Sequence, residues 1–202
     1  MTTKRERLSE IAEALAQKPL VGNARKAGPD LEPILSYFPR NDLSVAFDWC
    51  AAFVYHCCIQ ADFNLPVRYP EPVSCNFAGV LAWLQWGQLR KVNAYHSAEE
   101  QIFTPTRGDL VVFDNLLDHG PHDHIGIVLG CDGDWLSTAE GKGKTDPDYS
   151  TDTDTGWSMA SSGWRRNLKR KRTGAIISRI TWKRGGCHMQ KGLDTFSSPF
   201  VP

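Results

Sequence analysis

Apolar positions return every three or four residues through the first half of the chain and gather into short β-branched runs in the second half. Leu8, Ile11, Ala12 and Leu15 predict a helix over residues 5–17 that ends before "KPLVGN". Leu31, Ile34, Leu35 and Phe38 predict a short second helix. In "CAAFVYHCCIQA" the residues Ala51, Ala52, Val54, Tyr55, Cys58 and Ile59 leave almost no polar face, so a third helix is expected inside the protein, with Asp48 as its N-cap. The Pro-punctuated "NLPVRYPEP" reads as loop, and "NFAGVLAWLQWGQL" as a fourth helix stopped near Gly87.

Beyond residue 100 the period changes. "RGDLVVFD" and "DHIGIVLG" are short β-branched runs bounded by turn residues, and "DWLSTAE" is a third predicted strand. From Gly141 to Gly163 the composition turns to Gly, Ser, Thr and Asp, which predicts a long loop or partly disordered insertion over about 141–173. "RRNLKRKR" closes it as a solvated basic loop, and "TGAIISRITW" predicts a last strand. Helices followed by an antiparallel sheet give an α+β class. The expected organisation is an N-terminal helical segment over 1–40, a main domain over 41–182 and an irregular tail over 183–202.

Composition narrows the class without naming a partner. The chain has 202 residues, 41% of them apolar, enough for one domain with a sizeable core. Twenty-three basic residues balance 23 acidic ones, so no nucleic-acid partner is expected from charge. "MTTKRERLSEIAEALAQKPL" has no uninterrupted apolar run of the kind a signal peptide needs, and no segment approaches a membrane span of about 20 apolar residues. A soluble monomer is the expectation. The six cysteines are too unevenly placed for a secreted disulfide scaffold, so reduced thiols are expected.

Three of those cysteines, Cys50, Cys57 and Cys58, share the third helix, but they are not equivalent. A thiol with an ordinary pKa of about 8.5 needs help to become the reactive thiolate, and the first turn of a helix offers unpaired N–H groups and a favourable dipole. Cys50 stands there; Cys57 and Cys58 lie two turns further in and read as core packing. A thiol nucleophile also needs a base and a group that orients the base. Of His119, His122 and His124, only His124 opens a predicted strand that would hold it rigidly. Glu140 ends the next predicted strand, where its carboxylate can accept the other ring N–H. Asp123 competes for that orienting role, although neighbouring strand residues face opposite ways. A zinc site built on the three histidines is the rival reading, but their spacing matches no zinc motif.

The ordered set "DWCAAFV", "GDLVVFD", "DHIGIVLG" and "AEGK" resembles the CHAP family, papain-like cysteine amidohydrolases and peptidases related to the NlpC group. The resemblance covers about residues 40–140. It implies a papain-like fold with N-terminal helices packed on a C-terminal antiparallel sheet, no cofactor and no metal, and a catalytic set of Cys50, His124 and Glu140. It also implies cleavage of an amide bond in bacterial cell-wall peptidoglycan or its peptide fragments, by an N-acetylmuramoyl-L-alanine amidase or an endopeptidase. Trp49, Asn76 and Asp123 are the candidates for substrate contact. Many relatives carry asparagine two residues after the carboxylate, where this chain has Lys142, and the 141–173 stretch is longer than usual. Without a signal peptide, such an enzyme is expected to stay cytoplasmic until lysis or to leave by a non-classical route. The rivals within this reading are a catalytically weak cell-wall-binding module and a papain-like hydrolase acting on another amide.

Overall fold

A computed structural model describes residues 2–18, 20, 27–38, 48–97, 103–116, 120–132 and 135–141, together with the backbone of three later strands. The elements in chain order are helices α1 (Lys4–Ala16), α2 (Glu32–Leu35), α3 (Cys50–Gln60) and α4 (Val80–Gln88), then strands β1 (Tyr95–Ser97), β2 (Leu110–Phe113), β3 (His124–Asp132) and β4 (Trp135–Glu140). Strands β5 (Ser158–Ala160), β6 (Gly163–Asn167) and β7 (Thr173–Ile177) follow. The strands form one sheet in the order β1-β7-β2-β3-β4-β6-β5, and every neighbouring pair is antiparallel. The α+β class follows directly.

Alternation along β3 and β4 sorts residues between the two faces of the sheet. Ile125, Ile127 and Ala139 turn toward the helices and join a core that includes Leu8 and Ala12 of α1, Ile34 of α2, Phe53 of α3 and Trp83 of α4. Val128 and Leu136 face the other way, into a smaller cluster with Val111, Phe113 and Leu116. Nine of the eleven residues of α3 are buried, as its all-round apolar pattern requires.

Helix α1 is part of this core and is pinned at its edges. Thr3 and Glu6 form a complete capping box at its start. Arg5 reaches Asp109 at 2.5 Å, and the Asp109 side chain is fully buried. Asp109 also accepts from the backbone N–H of Thr106 at 2.7 Å, so the turn before β2 and the first turn of α1 share one carboxylate. Gly108, with a positive φ of 85°, lets that turn lie against the Arg5 backbone; a Cβ there would sit 2.7 Å from the Arg5 carbonyl oxygen.

Two expectations need correction, one helix end agrees, and one strand was not foreseen. Trp49, not Asp48, is the N-cap of α3, and it makes no side-chain capping hydrogen bond. Helix α4 ends at Gln88, one residue past Gly87, as expected. Strand β1 was not foreseen; three residues carry too little pattern, and its pairing with β7 supplies the order. The 141–173 stretch, expected as loop, contains β5 and β6, and β6 pairs with β4 while taking in Arg165, Arg166 and Asn167 of the basic run. Lys142, His119 and the 183–202 tail lie outside the described residues.

Candidate active site

Three elements meet at one end of the sheet. His124 opens β3, Glu140 closes β4, and Cys50 opens α3. The cross-strand register pairs Gly126 with Glu140, which leaves His124 diagonal to Glu140 and on the same face, within reach of a long side chain. Glu140 lies across Gly126 to make that reach. A Cβ on residue 126 would fall 2.7 Å from Glu140 Cγ, so only glycine leaves this path open. Phe113, the direct cross-strand partner of His124, stacks on the imidazole with ring centres 6.2 Å apart.

Gly141 does the equivalent work toward the helix. A Cβ there would lie 2.5 Å from Phe53 Cβ and 2.8 Å from the Trp49 ring, so the end of β4 approaches the start of α3 closely only because residue 141 has no side chain. That approach brings Cys50 to His124.

The imidazole is held from both sides. His124 Nε2–H donates to Glu140 Oε2 at 2.9 Å, with both side chains 1% exposed. The other ring nitrogen, Nδ1, is buried with no hydrogen-bond partner among the described residues. It is the nitrogen left for Cys50, which lies near enough to raise the affinity of the ring for a proton. Burial is the largest single influence on His124 and pushes its pKa down, but Cys50 and Glu140 together outweigh it and raise the imidazole from 6.5 to about 9. Glu140 is itself anchored, since Thr138 Oγ1 donates to its second oxygen, Oε1, at 2.5 Å.

Cys50 is buried at the first helical position of α3. The backbone N–H groups of Cys50, Ala51 and Ala52 have no intrahelical acceptor there, and the helix dipole favours negative charge beside them. Cys57 and Cys58, in the body of the helix, are pushed well above the ordinary thiol range by burial and are poor nucleophiles. All five described cysteines are free thiols. The chemistry open to this arrangement is attack by sulfur on an electrophilic carbon, with proton transfer through His124.

The CHAP domain family model matches residues 42–142, half of the chain, and the matched span holds all three of these side chains. The chain belongs to the CHAP domain family. Comparisons with curated proteins and with solved structures return no match. CHAP domains are generally amidase or peptidase hydrolases, which gives this protein a hydrolase role related to the cell wall.

Other sequence candidates fall around this CHAP site with different duties. Trp49 is buried against Phe53, ring centres 6.3 Å apart, and supports the start of α3. Asn76 is exposed in the turn before α4, and its Oδ1 accepts from the Ala78 N–H at 3.1 Å. Asp123 accepts from the Leu116 N–H at 2.9 Å and so shapes the turn before β3 rather than the imidazole of His124. His122 pairs with Asp114 at 2.8 Å in the same turn. Among the described residues no three His, Cys, Asp or Glu side chains gather as a metal site, and no helix is long and apolar enough to cross a membrane. Sequence reasoning passed over Thr138, Gly126 and Gly141. Alternation along "STAE" placed Thr138 on the face of Glu140, so that signal was present; the two glycines depend on register and helix docking, which the sequence alone does not display.

Proposed function

We propose that this CHAP domain is a papain-like cysteine hydrolase that cleaves an amide bond in bacterial peptidoglycan, with Cys50 as nucleophile, His124 as base and acid, and Glu140 as the group that orients the base. The observation that carries this reading is the buried imidazole of His124 between a thiol at a helix N-terminus and a carboxylate on the neighbouring strand. Cys50 Sγ attacks the scissile carbonyl carbon with its proton already resting on His124, which the raised pKa keeps protonated at neutral pH. The tetrahedral oxyanion is held by N–H groups at the start of α3. His124 then protonates the leaving amine, the C–N bond breaks, and a thioester remains on Cys50. Water, deprotonated by His124, hydrolyses that thioester and frees the enzyme. Glu140 keeps the Nε2–H in place throughout, so that Nδ1 is the nitrogen that exchanges protons with sulfur and substrate.

Two bonds in peptidoglycan suit this chemistry, the muramoyl–L-alanine amide and a peptide bond of the stem or cross-bridge. Digestion of defined peptidoglycan by the wild-type protein and by Cys50→Ala, read by mass spectrometry, identifies the bond and the nucleophile together. The wild type should release fragments with new amino groups, and Cys50→Ala should release none. Activity that survives in Cys50→Ser and disappears in EDTA would instead establish a metal-dependent hydrolase and end this reading.

A further inference from the structure

We infer that Thr138 is a fourth, positioning member of the site, whose hydroxyl fixes the Glu140 carboxylate so that Oε2 stays on His124. The inference rests on the catalytic reading above and adds a residue to it. Thr138 is fully buried and lies two residues before Glu140 on the same face of β4. Its Oγ1 donates to Oε1 at 2.5 Å while Oε2 receives the His124 N–H at 2.9 Å, so the two oxygens have separate partners. Rotation about the last bond of a glutamate is soft and close to two-fold. One hydrogen bond leaves the carboxylate plane free to turn; two, from opposite sides, define it.

The backbone strengthens this assignment. Thr138 pairs with Val128 of β3 on one side and with Trp164 of β6 on the other, whereas the β6 pairing spans only Trp135 to Thr138 and stops before Glu140. Among the described residues Thr138 is therefore the last of β4 held from both sides. Its side chain passes that rigidity to the less constrained strand end. A hydroxyl donated to an ionised carboxylate also favours the ionised form, in which both oxygens are acceptors, Oε1 for the Thr138 hydroxyl and Oε2 for the His124 N–H.

The test uses Thr138→Val, which keeps the shape and removes the donor, and Thr138→Ser, which restores it. Two readouts are taken on the full chain: kcat and KM on peptidoglycan, and the titration of His124 by NMR with labelled histidine, assigned by its absence in His124→Gln. Thr138→Val should lower kcat by about 10- to 100-fold with KM unchanged, the usual range for a residue that orients an active group from behind. It should also move the His124 midpoint down by about one pH unit, as the imidazolium loses part of its carboxylate support. Thr138→Ser should return both toward wild type. A wild-type His124 midpoint and kcat in Thr138→Val would overturn the inference, as would a folded Thr138→Ser that behaves like the valine variant. The titration needs no substrate. An inactive wild type would therefore count against the proposed hydrolase, while the Thr138 link to His124 would still be read.

Discussion

The sharpest test of how the site is assembled is Gly126→Ala, a change that touches none of the reacting groups. A Cβ at this position lies 2.7 Å from Glu140 Cγ and 3.1 Å from the Ala139 carbonyl oxygen. The first distance is well inside ordinary contact, and the second contact is with backbone, which cannot yield as a side chain does. Glu140 must therefore move. Its Oε2 sits 2.9 Å from His124 Nε2, so a displacement of about 1 Å breaks that hydrogen bond, and misplacements of this size cost about 100-fold in rate. Overpacking of this kind also destabilises by about 1–3 kcal/mol, which leaves a folded protein to assay.

The measurement is kcat/KM on peptidoglycan at a temperature well below the melting transition, with the His124 titration recorded alongside. The expected result is a loss of about 100-fold in kcat/KM together with a lower His124 midpoint. Gly126→Ala retaining activity within about threefold, with its fold intact, would refute the claim that the Glu140 side chain reaches His124 by crossing residue 126.

Two further predictions rest on other parts of the structure. His124 is raised from 6.5 to about 9, so its contribution is fully present below about pH 6.5 and is lost as pH rises through about 9; it amounts to about 3 kcal/mol at most. Urea unfolding at pH 6, 7.5 and 9.5 should show the wild type losing more stability than Glu140→Gln across this window, and parallel curves would disprove the coupling. Arg5→Ala removes the ion-pair partner of the buried Asp109 carboxylate, and urea unfolding should show a loss of about 3 kcal/mol; a loss under about 1 kcal/mol would mean that this ion pair does not hold α1 in place.

The sequence carried the elements whose pattern is strong and local. Helix α3 is nearly apolar all round, β2 and β3 are β-branched runs, and the candidate nucleophile and base stand at the first residues of α3 and β3, where residue type alone pointed to them. What stayed hidden depends on pairing across long separations. Arg5 and Asp109 are 104 positions apart, and neither helix period nor strand alternation joins them. Gly126 and Gly141 look like ordinary glycines until the register puts Glu140 over one and the docking of α3 puts Trp49 over the other. Asn76 and Asp123 show the opposite case: short polar side chains in turns bond to nearby backbone, and both do so here.

The contrast between α1 and α3 connects fold to chemistry. α1 begins with a full capping box, whereas α3 begins at Trp49 with no side-chain cap. A missing cap commonly costs about 1 kcal/mol, and the buried faces of α3 can absorb that. Had Asp48 capped the helix, its carboxylate would have occupied N–H groups of the first turn and placed a negative charge where the proposed mechanism has the Cys50 thiolate and the oxyanion form. The uncapped start thus leaves those donors for the proposed reaction. The stability of α3 comes from the packing of Phe53, Tyr55 and Cys58 rather than from its end, and for that reason its end is free to be reactive.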